Sequence, residues 1–407
     1  MYSLEVYGLT KHFGQTLVLK DVSFSVLPGE SFAVLGPEGS GKTTLLRLLS
    51  GLEVCDQGRV LLNGVEITRT PSSERSIAVV LQNRYGLVPH LNVAENLSMS
   101  FRVGAGGKKG MMRERVVVAA QALHIQHTLE RKVSTLSEGD QLRVALARGL
   151  VKRPQLYLLD ESLMQLDTPT RLAVRRELVE FHRSNQIPFV YMTRDQPEAF
   201  ALAERVAVMN NGEVLQIGTR AELFYTPATL WVAQWLGFPP MNTIRGYLQG
   251  TYQPDGMHYR IWAKSMAPLL PVQWTGVLSD LQNPNIIVGI RPEDILPEWE
   301  LAEKWRPSFC AVKVEVLASE WNQGKTLAQL QLPHTEDRFM AVFDIPHDQV
   351  KIGQVFTVAF DPERFCLFHP RTEKLLYAPS FTTGLRRSTG NPISRHLWQN
   401  YRLDPPR

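Results

Sequence analysis

Gly36-Pro37-Glu38-Gly39-Ser40-Gly41-Lys42-Thr43-Thr44 lies between the apolar run Ser31 to Leu35 and the leucine-rich run Leu45 to Leu49. Strand, glycine-rich turn and helix in that order make a phosphate-binding loop. The turn aims backbone N–H groups inward, and the helix N-terminus adds partial positive charge where a polyphosphate can lie. Lys42 is placed to reach the β- and γ-phosphates, and the Thr43 hydroxyl to ligate Mg²⁺. A bare glycine turn would lack the flanking strand and helix, so the stretch reads as a nucleotide site without naming the reaction.

Upstream of the loop, Ser3 to Tyr7 and Val18 to Val26 have the pattern of strands, and Pro28-Gly29 is a turn before the run that feeds the loop. Between the two strands lies Lys11-His12-Phe13-Gly14, where the Phe13 ring can stack on adenine. Downstream, Gln82 stands where the run Ile77 to Leu81 ends, and a polar residue at the carboxyl end of an α/β strand points toward the ligand crevice. Helical patterns then fill an insertion of about 83–152. Within it, Leu136-Ser137-Glu138-Gly139-Asp140-Gln141 opens a helix with Ser137 as its N-cap.

The buried run Leu156 to Leu159 ends in Asp160-Glu161. Two adjacent carboxylates there divide labour: one holds Mg²⁺, the other polarises the water that attacks the γ-phosphate. Leu166-Asp167 precedes a helix from Pro169 to about Asn185, and Phe189 to Met192 forms a strand with Thr193-Arg194-Asp195-Gln196 at its carboxyl end. Past Gly237-Phe238-Pro239-Pro240 the pattern changes to short strands such as Ile286 to Ile290, Ala311 to Leu317, Thr326 to Leu332 and Val355 to Phe360. The expected organisation is an α/β P-loop nucleotide-binding domain over 1–236, a smaller all-β domain over 237–378, drawn as a small barrel, and a basic disordered tail over 379–407.

A chain of 407 residues accommodates two such cores. Its 44% hydrophobic and 21% charged content is that of ordinary folded protein, and a net charge of +4 with no basic block among aromatics argues against nucleic acid. Cys55, Cys310 and Cys366 share no metal-ligand spacing and read as free thiols of a reducing cytosol. No stretch resembles a signal peptide and no window holds about 18 consecutive apolar residues. Membrane contact is therefore expected only through a partner.

With the loop, Gln82, the Leu136 to Gln141 stretch, Asp160-Glu161 and Leu166-Asp167 in this order, the sequence resembles the ATP-binding subunits of ABC transporters. Gly289-Ile290-Arg291-Pro292-Glu293 and Phe360-Asp361-Pro362-Glu363-Arg364 resemble the regulatory TOBE/OB region of importer ATPases, and Gly237 to Asn242 is similar to the linker of sugar and glycerol-phosphate importers of the maltose type. The resemblance implies an ATPase that couples hydrolysis to solute uptake at the cytoplasmic face of the cell membrane. It also implies two permease subunits, a solute-binding protein, and a homodimer or a heterodimer with a related ATPase subunit.

In such a dimer ATP lies between Gly36 to Thr44 of one copy and Ser137 and Gly139 of the other. Phe13 stacks on adenine; Thr43, Gln82 and Asp160 hold Mg²⁺; Glu161 is the general base; Asp167 organises the facing subunit. Two departures stand out. Glu138 and Asp140 occupy the third and fifth places of the family's Leu-Ser-Gly-Gly-Gln, adding negative charge near a triphosphate. Arg194 replaces the histidine of Thr-His-Asp-Gln with a group that is always protonated. The departures predict slowed hydrolysis with binding intact, and they carry a second reading: a degenerate subunit, weak in ATPase activity, that partners a more active one.

Overall fold

The computed structural model describes residues 2–81, 84–102, 109–161, 163, 166–253, 256–263, 285–300, 310–322, 324–333 and 335–378. Gln82 and the basic segment 379–407 lie outside the described residues. Two compact units divide the chain after Arg220.

The first unit opens with β1 (Leu4–Phe13), β2 (Thr16–Val26), β3 (Ser31–Leu35), α1 (Lys42–Ser50), β4 (Gln57–Leu62), β5 (Val65–Glu66) and β6 (Ile77–Val80). The inserted helices are α2 (Val93–Arg102), α3 (Lys109–Ala122) and α4 (Glu138–Val151). Then come β7 (Leu156–Asp160), α5 (Thr168–Asn185), β8 (Phe189–Thr193), α6 (Gln196–Leu202), β9 (Arg205–Asn210) and β10 (Glu213–Gly218). Lys11, His12 and Phe13 belong to β1 itself, not to a loop between strands, because register shifts after Val6 and Leu9 let the strand continue past Gly8.

A six-stranded sheet in the order β10-β9-β3-β8-β7-β6 carries the unit, parallel except for the β9–β10 hairpin. Every residue of β3, β7 and β8 is buried, as expected of strands covered on both faces. A four-stranded antiparallel sheet has the order β2-β1-β4-β5. Leu45, Leu46, Leu48 and Leu49 of α1 share one core with Leu4, Val22, Val34 and Leu158. Burying each leucine is worth about 1.5–3 kcal/mol, so α1 is anchored and the loop before it is held at both ends.

Among its described residues the second unit holds α7 (Arg220–Tyr225), which straddles the division, α8 (Leu230–Trp235) and ten strands. These are β11 (Asn242–Gln253), β12 (Gly256–Trp262), β13 (Asn285–Ile290), β14 (Ile295–Pro297) and β15 (Cys310–Asn322). They continue as β16 (Lys325–Gln331), β17 (Arg338–Phe343), β18 (Val355–Phe360), β19 (Cys366–Phe368) and β20 (Leu375–Tyr377). They form two five-stranded sheets, β12-β11-β13-β19-β20 and β14-β18-β15-β16-β17, around one core that includes Ile244, Ile286, Val314, Leu330 and Phe360. The all-β appendage expected from the sequence is thus present, as two five-stranded sheets that share a core.

The contact division falls ahead of Gly237 because α7 and α8 pack on the β-unit. Arg291, 4% exposed, donates to Ala233 O (2.9 Å), Leu236 O (2.5 Å) and Phe224 O (2.7 Å) and lies 3.9 Å from the Phe224 ring centroid. Leu230 and Ala233 join Ile287, Cys366 and Phe368 in a second cluster. The Gly289 to Glu293 and Phe360 to Arg364 motifs each turn a strand into a short helical turn, at Pro292–Asp294 and Pro362–Arg364, and Arg364 pairs with Asp294.

Candidate functional site

The parallel strands bring their carboxyl ends to one edge, where the residues after β3, β7 and β8 meet. Leu35 pairs with Thr193, and Asp160 with Met192, so these strand ends lie side by side. A crevice at the carboxyl ends of parallel strands is where α/β sheets bind ligands.

The phosphate loop is tightly shaped. Gly36 N donates to Thr193 O at 3.3 Å, and a Cβ on Gly36 would stand 2.2 Å from Met209 O, so only glycine fits there. Gly41 has φ 101° at the N-terminus of α1, a backbone state that L side chains rarely adopt. Gly212 ties the loop to the first hairpin: its N donates to Ser40 O and its O accepts from Lys20 N. Lys42 is buried, and its Nζ donates to Gly36 O (2.9 Å), Pro37 O (2.8 Å) and Ser40 Oγ (3.4 Å). Burial lowers its pKa, while the charges of Glu161 and Asp160 act in the opposite direction. Thr43 and Glu38 are exposed, Pro37 and Thr44 half-buried. Phe13, 46% exposed at the end of β1, leaves its ring open under the Lys11 ammonium.

Asp160 is buried at the end of β7, and burial first, then the charge of Glu161, pushes its carboxyl from 3.8 up to about 6. Glu161 follows with φ 40° and donates its N–H to Met192 O at 2.9 Å. A non-glycine residue at positive φ costs energy, and such strain clusters at functional turns. Because its folded pKa is raised, Asp160 favours the fold fully below pH 3.8, and that contribution is lost as pH rises through about 6. Asp160→Asn is therefore expected to stabilise the nucleotide-free protein by about 3 kcal/mol at pH 8 and by almost nothing at pH 3.5. Thermal melts at both pH values check this; an equal gain at both would refute the carboxylate origin.

Arg194 stands immediately after β8 with its Nη1 3.2 Å from Glu38 Oε2 of the phosphate loop. The turn that carries it is held by Glu198, a buried acid that accepts from Tyr191 OH (2.8 Å) and Thr193 Oγ1 (3.3 Å). Ser137 and Gly139 lie elsewhere: among the described residues no hydrogen bond or ion pair joins them to the loop. Ser137 caps α4 by accepting from Asp140 N at 3.2 Å, and Gly139 packs on Thr170 and Val174 of α5. Asp167 caps α5 by accepting from Thr170 N, and the Thr170 hydroxyl first, then that N–H, holds its carboxyl below the usual value.

The comparisons join this geometry to a family. The family profile described as ABC transporter matches residues 19–164. The maltose/maltodextrin import ATP-binding protein MalK of Photorhabdus laumondii subsp. laumondii is 34% identical over 375 residues, 90% of this chain and 96% of that protein. MalK of Escherichia coli K12 is 34% identical over 372 residues with the same coverage. This chain belongs to the ABC transporter ATP-binding proteins. It is an ATP-binding and ATP-hydrolysing subunit of the import class. The chain also resembles the solved structure of cbiO1 from Clostridium perfringens, part of the ABC transporter complex cbiONQ, at 28% identity and a TM-score of 0.50, covering 54% of this chain and 90% of that one.

Likeness along nearly the whole length does not favour the degenerate-subunit reading, and the local contacts give a physical reason. Asp140 accepts from the Ser137 hydroxyl (2.8 Å) and pairs with Arg143 (2.6 Å), which also grips Glu177 of α5 with two bonds. Arg143 thereby offsets part of the charge that Asp140 adds to the motif, sharing itself with Glu177. Glu138 lines a cavity of about 310 Å³ with Tyr85, Leu87, Pro89 and Gln141, where burial and the Glu138 charge push the Tyr85 hydroxyl up to about 12.

Arg148 is a functional candidate that sequence reading missed. From α4 it donates to Gly86 O (2.6 Å) and Tyr85 O (3.1 Å), tying the segment just after Gln82 to the helix that Ser137 caps. Its only signal in the sequence is its place two helical turns beyond Gln141.

Proposed function

We propose that the chain is the energy-coupling ATPase of a carbohydrate importer, working at the cytoplasmic face of the cell membrane. The observation that carries this reading is the convergence of Lys42, Asp160-Glu161 and Thr193-Arg194 at adjacent parallel strand ends. The substrate class rests on the names of the relatives, which import maltose and maltodextrin.

In this reading the nucleotide domain spans 1–236 and the regulatory domain 237–378. The N–H groups of the Gly36 to Thr44 loop and Lys42 bind the phosphates, and Phe13 stacks on adenine. Glu161 takes a proton from the attacking water, and Arg194 supports the γ-phosphate. Ser137 and Gly139 of a second ATPase subunit close over the nucleotide, and Asp167 orders that junction. The oxygen donors Thr43 and Asp160, with Gln82, suit a hard cation, and burial together with the neighbouring Glu161 charge disfavours ionised Asp160 by more than Lys42 offsets, so the residues fit Mg²⁺. Mg²⁺ there would neutralise charge between the β- and γ-phosphates.

Among the described residues no helix is long and apolar enough to cross a membrane, so the proposed membrane attachment runs through two permease subunits served by a solute-binding protein. The test is co-expression with importer permeases of the maltose type, followed by detergent extraction. The chain should co-purify with them and show ATPase activity stimulated by sugar-loaded binding protein. Recovery in the soluble fraction alone, with no stimulation, would refute the coupling role.

A further inference from the structure

The contact between Arg194 and Glu38 joins the residue after β8 to an acid inside the phosphate loop itself. A glutamate on that loop brings a negative charge near the polyphosphate site, where like charges repel unless something offsets them. Arg194 supplies that offset at 3.2 Å. The side chains are 45% and 88% exposed, so the pair is weak and exchanges readily. Both charges also reach Lys42, with opposite signs, which places the pair within electrostatic range of the phosphate site.

We propose that Glu38 and Arg194 form a latch that distinguishes ATP from ADP: Arg194 stays on Glu38 when the site holds ADP and transfers to the γ-phosphate when it holds ATP. The inference rests on the nucleotide-site reading above and adds the role of Glu38. The transfer is favourable because a γ-phosphate offers the guanidinium fork three anionic oxygens, and two-pronged binding outcompetes a single exposed contact to a carboxylate. ADP offers no such group at that distance, so the resident pair persists. Glu38 therefore sets the threshold that a nucleotide must overcome to recruit Arg194.

The two charges give a thermodynamic cycle whose sign decides the matter. If the pair opens for ATP, Glu38→Gln removes the cost of opening only while Arg194 is present. The gain in ATP affinity is then larger in the Arg194 background than in the Arg194→Gln background. If Arg194 is merely a fixed counter-ion, Glu38 repels nucleotides more once Arg194 is gone, and the inequality reverses.

The experiment is fluorescence titration of the full chain with ATP and with ADP, both with Mg²⁺, for wild type, Glu38→Gln, Arg194→Gln and the double variant. Arg194→Gln should weaken ATP about tenfold and ADP about twofold or less. Glu38→Gln should strengthen ATP about threefold, with a smaller gain when Arg194→Gln is also present. A gain that is equal for ATP and ADP, or larger in the Arg194→Gln background, overturns the latch. Lys42→Ala serves as control: if it leaves both affinities unchanged, the nucleotide-site reading itself has failed and the latch with it.

Discussion

Lys42→Ala is expected to abolish ATP binding, with affinity falling by at least about a hundredfold. The side chain is buried and already bridges Gly36 O, Pro37 O and Ser40 Oγ, so it shapes the loop before any nucleotide arrives. Its burial makes the free ammonium costly, and the carboxylates of Asp160 and Glu161 offset that cost. A polyphosphate would take over the three donors of Lys42 with charge-assisted bonds in a partly water-excluded site, where each is worth about 1.5–3 kcal/mol. Alanine removes the cation and leaves two loop carbonyls without this donor. Calorimetric titration with ATP checks the prediction, and a thermal melt separates lost binding from lost folding. Near wild-type affinity in a folded variant would remove the phosphate-loop assignment.

Glu161→Gln should keep ATP affinity and lower hydrolysis by about 10²–10⁴-fold, the usual contribution of a general base. The carboxylate sits half-buried directly after β7, its backbone held by the bond from its N–H to Met192 O. Glutamine has the same size and tolerates the same backbone, so geometry persists while proton acceptance is lost. With hydrolysis blocked, an ATP-sandwiched dimer should accumulate, read as a shift to twice the mass in gel filtration with ATP and Mg²⁺. Hydrolysis at wild-type rate would assign the base elsewhere; a monomer at saturating ATP would refute the two-subunit closure.

The features that are local in the chain were legible without a structure. The phosphate loop, the buried runs of β3, β7 and β8, and the Ser137 cap each depend on residues within a few positions of one another. Spacing and side-chain type encode such features directly. The strands of the second unit were harder: β17 was missed, and β15 runs on to Asn322, past the expected end at Leu317, where Ser319, Glu320 and Asn322 dilute the apolar signal.

Only the tertiary structure decided what the distant charges do. Asp140 looked like an added repulsion until Arg143 was seen paired with it, and Arg194 looked like a lost histidine until Glu38, 156 positions away, was found beside it. Arg291 resembled a family signature until its guanidinium was found holding the carbonyls of α7 and α8 to the β-unit. In each case the sequence determined which charged group is present. Its energetic meaning depends on distance and burial, and packing sets those by bringing together segments whose separation along the chain says nothing about their separation in space.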